Sequence, residues 1–267
     1  MRWMLSFYLH TMKNSMLVTF QYRLAMWFFV IGMMSEPVIY LVVWSTIANA
    51  EGGSVAGYTP GTFAAYYIVW TLIRNINLVY SAPAWENRIR RGELAPMLLR
   101  PLHPIHFDLA GEVGGKVVMV LFWLPMAALL ALLFHPTFQL TPLGLVVFFF
   151  AIWGAYLVRS LTVWLLAMVA FWTTRGSALF ELYIAVELVL SGRLVPLALL
   201  PAWAQQLETF LPFQWTFAFP INALIGQLSA QQLLTGLGMQ ALWIALGALA
   251  IRLVWRVGVR HFSSVGN

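Results

Sequence analysis

The sequence predicts an all-α integral membrane fold. It comprises six transmembrane helices, an interfacial helix at the N-terminus, and short helices before the last span that dip into the outer leaflet or rest on it. Three observations predict this. Hydrophobic residues make up 61% of the 267 residues and charged residues only 9%, whereas a soluble domain carries roughly 25% charged residues. No water-facing surface can be built from that inventory, so lipid must replace water over most of the outside. Six apolar windows reach the length of about 20 residues that a helical span needs. Finally, Lys and Arg fall in alternate connections between those windows.

Residues 2–21 are too polar to span, because Arg2, Ser6, His10, Lys13, Asn14 and Gln21 interrupt the aromatic and aliphatic positions. They read as an amphipathic helix in the cytoplasmic interface, or alternatively as an extension of the first span. No small-residue cleavage site follows Arg2, so this segment is expected to stay in the chain. The windows lie near residues 24–48, 61–82, 113–134, 143–172, 178–200 and 234–257. The fourth exceeds the hydrocarbon thickness at roughly 1.5 Å per residue, so it must tilt or protrude.

Positively charged loops resist translocation, so their positions orient the chain. Arg2, Lys13 and Arg23 precede span one. Arg88, Arg90, Arg91 and Arg100 follow span two, with Lys116 just beyond, Arg175 follows span four, and Arg252, Arg256 and Arg260 close the chain. The connections at 49–60, 135–142 and 201–233 hold no Lys or Arg. Both termini and the loops at 83–112 and 173–177 therefore face the cytoplasm. This placement, rather than nucleic acid, accounts for the net charge of +6. There are no cysteines, which excludes disulfides and Cys metal sites. Pro201, Pro212 and Pro220 cut the segment at 201–232 into pieces too short to cross. No internal repeat or soluble domain is seen, and residues 1–267 read as one transmembrane domain.

The strongest local signal is the cytoplasmic run from Glu86 to Asp108. Arg88, Arg90, Arg91 and Gly92 lead into a short helix-like stretch at Glu93 to Arg100, with breakers at Pro101 and Pro104. An ordinary positively charged loop explains the arginines but not Met97, Leu98 and Leu99 beside them. Apolar residues rimmed by charge suggest a docking surface for another protein.

Here the chain resembles the ABC-2 type exporter permeases. The run IRRGELAPMLLRPLHP at Ile89 to Pro104 is similar to that family's connection between its second and third helices. Further likeness lies in QYR at Gln21 to Arg23, SGRLVPLALLP at Ser191 to Pro201, Leu211 to Gln214, and FPINALIGQ at Phe219 to Gln227. The resemblance implies re-entrant helices after the fifth span and a coupling helix built from Arg88, Arg90, Arg91, Gly92, Glu93, Leu98, Arg100 and Pro101. It also implies two copies of a separate ATP-binding subunit carrying ATP and Mg, and a second permease subunit, identical or related. The setting it implies is the bacterial cell (inner) membrane, and the transport is outward.

No cofactor is expected on the chain itself. The nearest approach to a phosphate loop, AGEVGGKV at Ala110 to Val117, lacks the first glycine and has Val117 where Ser or Thr should bind magnesium. Gly111 and Gly115 read instead as a close-packing pair at the start of span three. His103 and His106 have no organised carboxylates beside them, so no metal site is expected.

Charges inside apolar windows form the second informative set: Glu36, Arg74, Arg159, Glu181, Glu187 and Arg193. Each costs at least about 2.5 kcal/mol in lipid unless it pairs or meets water. Glu187 and Arg193 are six apart, which on a helix prevents direct pairing, so partners are expected from other helices. Two readings fit. In the structural one, Glu36 satisfies backbone groups freed by Pro37 and Arg159 locks spans four and five through Glu187. In the functional one, Glu36, Arg74, Asn75, Asn77, Arg159, Glu187 and Arg193 include the lining of a polar pathway. Glu181 and Lys116 sit near span ends and are expected to snorkel. Trp44, Trp85, Trp172, Trp203 and Trp255 read as interfacial anchors.

The leading reading is the permease subunit of an exporter for a hydrophobic or amphipathic substrate, without an ATPase site of its own. The alternatives are a proton-coupled secondary transporter using Glu36 or Glu187, and a non-catalytic membrane scaffold. A lipid-headgroup enzyme lacks a reactive constellation.

Overall fold

The computed structural model describes residues 2–79, 81–173 and 176–262. The cytoplasmic marker Arg175 lies outside them. Helix makes up 81% and no strand occurs among the described residues. Among the described residues, four helices are long and apolar enough to cross a bilayer: α2 (Arg23–Ala50), α6 (Ile105–Phe134), α7 (Pro142–Ala167, continued by a 3-10 turn to Phe171) and α11 (Ala230–Gly258). They correspond to the first, third, fourth and sixth windows. Phe28, Leu132, Phe149 and Leu253 stand exposed on them, apolar surfaces suited to lipid or to another apolar helix.

Between these helices lies α3 (Pro60–Asn77), in which 15 of the 18 residues are buried. Thr59 starts it by accepting the Thr62 N–H, with Pro60 at the first helical position, where a missing N–H costs nothing. Thr141 and Pro142 repeat the device for α7, and Ser229 with Gln232 closes a capping box on α11. The helices α2, α6, α7 and α10 (Ala218–Ile225) surround α3. Its side chains form much of the core, including fully buried Phe63, Tyr66, Tyr67, Trp70 and Ile73. The α7–α11 contact is the other main seam, clamped where the Gln240 side-chain amide donates to the carbonyls of Ala151 and Trp215.

α1 (Arg2–Gln21) breaks from α2 at Tyr22 and packs along the first half of α6. Close approach is at Gly114, where an added Cβ would sit 2.4 Å from the Met12 carbonyl oxygen, and at Gly115, which faces Thr19 and Ser15. Gly111 has open space on its Cβ side and serves through its carbonyl, which accepts from the Ser15 hydroxyl at 2.6 Å. The close-packing pair is thus Gly114 and Gly115, because these are the positions that face α1.

The fifth window ends early. α8 (Gly176–Leu190) stops ten residues short of the expected boundary at 200, because Gly192 takes φ +86 and turns the chain. Beyond it come a 3-10 turn at Leu197–Leu199, α9 (Ala202–Thr209), a second 3-10 turn at Phe213–Trp215, and α10, the short pieces that the prolines predict. The connection after α3 is also more ordered than a loop. It contains α4 (Ser81–Arg90), α5 (Ala95–Leu98) and the first turns of α6.

Candidate functional site

The intramembrane charges gather into one chain of ion pairs. Arg74 lies 2.7 Å from Glu36, and Arg193 reaches Glu36 at 3.9 Å and Glu187 at 3.4 Å. Arg159 closes the chain with a two-pronged contact to Glu187, at 2.7 Å from Nε and 3.0 Å from Nη2. Glu187 has no exposed surface, and Tyr183 donates to its Oε1 at 2.9 Å. Three guanidiniums thus share two carboxylates, leaving an excess positive charge.

Two expectations are corrected here. Glu187 and Arg193 do pair, because Arg193 is not on the helix: the Gly192 turn folds it back over the end of α8. Glu36 does not satisfy the backbone freed by Pro37. That freed group is a carbonyl, Met33 O, and a carboxylate has no proton to offer it. Arg74 Nη1 donates to it instead, at 3.2 Å, while also holding Glu36.

The C-terminal end of α3 explains two of the buried cations. Arg159 Nη1 donates to Asn77 O at 2.5 Å and Lys116 Nζ donates to Leu78 O at 2.6 Å. These carbonyls have no helical partner and carry the negative end of the helix dipole, so cations are the donors best suited to them. Lys116 therefore does not snorkel. It is buried against Tyr156, with Glu112 at 3.9 Å. Glu112, which in turn accepts from the Tyr156 hydroxyl at 2.9 Å, carried no signal in the sequence beyond its place four residues before Lys116.

Arg74, Asn77, Arg159 and Arg193 line a cavity of about 250 Å³ together with Phe180 and Phe217. Asn77 donates to Thr216 O at 2.5 Å and leaves its Oδ1 unpartnered. Asn75 turns away from that cavity and donates to Thr71 O within its own helix. Of the polar cluster on α3, Arg74 and Asn77 share the cavity and Asn75 does not. Glu181 is exposed at the surface of α8.

The second group of residues forms the knob between α4 and α6. Trp85 is fully buried, packs edge-on against Trp255 and donates to Asp108 at 2.5 Å. It is a core anchor rather than an interfacial one, because Asp108 and Trp255 enclose it. Trp172 and Trp203 remain exposed, and Trp44 stacks on Phe63. Arg88 turns inward to Asp108 at 2.8 Å, and Leu94 is fully buried. With that base held, Arg90, Arg91, Glu93, Arg100 and Pro101 are exposed, Gly92 makes the turn at φ +72, and Leu98 is half-buried. Leu99 is 89% exposed, the most exposed large apolar residue among the described residues. Arg100 lies over the Phe107 ring at 5.0 Å.

The remaining sequence candidates are otherwise engaged. Ala110–Val117 is continuous helix within α6. His103 rests on Trp255 with centroids 4.2 Å apart, and His106 pairs with the Tyr8 hydroxyl at 2.6 Å. No group of three metal-ligating side chains occurs among the described residues.

Residues 34–266 match the family described as ABC-2 family transporter protein. The chain belongs to the ABC-2 transporter family. A comparison with curated proteins gives no match. This ABC-2 protein is accordingly a multi-pass membrane component of an ABC transporter, its permease, a part that is generally not itself catalytic. Permeases of the family work with ATP-binding subunits. The match begins at Met34, so it includes the whole ion-pair chain from Glu36 to Arg193 and the whole knob.

Proposed function

We propose that this permease exports a hydrophobic or amphipathic substrate, driven by ATP hydrolysed with Mg on two copies of a separate subunit. The observation that carries the reading is the knob. Arg90, Arg91, Glu93, Leu99 and Arg100 stand exposed on a base fixed by Trp85, Leu94 and the Arg88–Asp108 pair. An exposed apolar residue ringed by charge on a rigid base suits a protein partner that pushes on it. Because α4 packs on α7 and α8, and Arg88 is tied to α6, displacement of the knob would move three helices together.

In this reading the chain is one transmembrane domain over residues 1–267 in the bacterial inner membrane, with both termini cytoplasmic. It crosses six times. α3, enclosed by protein, and α8, extended by the Gly192 turn, supply the second and fifth crossings, and α9 and α10 are re-entrant. α1 lies in the cytoplasmic interface, where lipid covers its exposed Leu5, Leu9 and Leu17. A second permease subunit, identical or related, completes the pathway. Arg74, Asn77, Arg159 and Arg193 face that pathway through their shared cavity, and Glu36 and Glu187 hold them in place. The pairing of Glu36 and Glu187 with guanidiniums disfavours either of these two as a proton carrier, which needs a carboxylate free to take up and release a proton.

The test is co-purification of a tagged chain in mild detergent. A nucleotide-binding subunit is expected to come down with it, and Arg90→Glu combined with Leu99→Asp is expected to abolish both capture and transport while the melting profile stays the same. Intact capture and transport in that variant would overturn the reading. So would modification of a cysteine at Glu93 by an impermeant thiol probe in intact cells.

A further inference from the structure

Glu208, in the last turn of α9, is a buried carboxylate that the charge network does not use. Only 8% of its surface is exposed, and its Oε2 is enclosed without a hydrogen-bond partner. Its backbone is well held, with its carbonyl accepting from Leu211 N–H at 3.1 Å and from the Gln214 side-chain amide at 3.3 Å. No Lys, Arg or His pairs with it among the described residues. It lines a cavity of about 520 Å³ between α9, α10 and the start of α11, whose wall includes Gln214, Trp215, Phe219, Asn222 and Gln231. None of the lining residues is basic, and Glu208 is the only acidic one among them.

A carboxylate removed from water and left unpaired is costly as an anion, so it takes either a proton or a cationic partner. A cation bound beside it would hold it in the ionised form. The volume lies in the range of small-molecule sites. The wall combines one negative group, neutral amides and two aromatic rings, the composition that accommodates a cation with an apolar substituent.

We propose that this cavity is a binding site for an organic ammonium ion carrying an apolar group, with Glu208 as its counter-ion and Trp215 and Phe219 as its aromatic walls. The site belongs to the permease chain alone and does not depend on ATP coupling. Isothermal titration of the purified chain in detergent with benzyltrimethylammonium reads it directly. One site per chain is expected at pH 8, at least tenfold weaker at pH 5.5, where protonation of Glu208 removes the counter-charge. Glu208→Gln is expected to weaken binding at least tenfold at pH 8, Glu208→Asp to retain it within a few fold, and benzenesulfonate not to bind. Should the Gln variant fail to fold, the Asp variant and the pH dependence carry the same comparison. No heat of binding at pH 8, equal affinity at both pH values, unchanged affinity in Glu208→Gln, or equal binding of benzenesulfonate each overturns the site. Failure of the ATPase to co-purify while ammonium binding persists overturns the exporter reading and leaves the site standing.

Discussion

Arg74 Nη1 lies 3.2 Å from the carbonyl oxygen of Met33, the acceptor that Pro37 leaves without its helical N–H. One guanidinium thereby repairs a proline break in α2 and holds Glu36, tying α3 to α2 at a single point. Arg74→Ala strands the Met33 carbonyl and leaves Glu36 only Arg193 at 3.9 Å and the Tyr40 hydroxyl at 3.2 Å, and is expected to cost about 2 kcal/mol of stability. Pro37→Ala restores a backbone N–H for Met33, so in the Arg74→Ala background it should return about 1 kcal/mol. A double-mutant cycle on thermal unfolding in detergent measures both terms.

Arg159 and Glu187 carry the tightest contact of the network, and Arg159 also caps α3. Glu187→Gln leaves Arg159 and Arg193 sharing a lost counter-charge, with an expected loss of about 3 kcal/mol or more. Arg159→Lys keeps the charge but cannot hold Glu187 with two prongs and cap Asn77 O at once, so it should not restore wild-type stability. The retained fraction of monodisperse protein on heating checks both.

Gly114 and Gly111 make a controlled comparison on α6. A Cβ at Gly114 meets the Met12 backbone at 2.4 Å, so Gly114→Val is expected to push α1 off α6 and cost more than about 2 kcal/mol. At Gly111 the space is open, and Gly111→Ala should stay within about 0.5 kcal/mol of wild type. Trypsin cleavage after Lys13 reads the detachment directly, rising in the first variant and unchanged in the second.

His103, in the connection before α6, is held from the usual 6.5 down to about 4, first by burial and then by neighbouring His106. Between those values the unfolded chain binds the proton and the folded chain does not. Stability is therefore complete above about pH 6.5 and falls as the pH drops toward 4. His103→Phe keeps a ring against Trp255 and removes the titration. Its unfolding temperature should fall less steeply from pH 6.5 to pH 4 than that of the wild type, after a pH-independent loss from the missing Ile105 N–H contact.

Much of the fold was legible because lipid imposes one local rule. Every backbone polar group must be satisfied within the segment, so long apolar windows become helices and prolines cut them. The windows at 24–48, 113–134, 143–172 and 234–257 became α2, α6, α7 and α11 on that basis. Pro201 precedes α9 and Pro212 separates it from α10, whereas Pro220 falls within the first turn of α10 and does not cut it. The site was legible as an inventory and as one pair, Arg159 with Glu187, which the structure joins at 2.7 Å. Spacing along a helix could not foresee that the Gly192 turn brings Arg193 to Glu187, nor that Trp85 lies inside rather than at an interface. Both depend on where a helix stops and what then encloses it.

What the sequence by itself determined is the solvent, the long helices and the charged apolar knob, since hydropathy and proline act over a few neighbouring residues. Beyond the Arg159–Glu187 pair that the sequence suggested, the tertiary structure decided which guanidinium meets which carboxylate. Glu36, Arg74, Arg159 and the Glu187–Arg193 segment come from four separate stretches of chain, and an ion's partner in a low-dielectric interior is set by distance in space, not by distance along the chain.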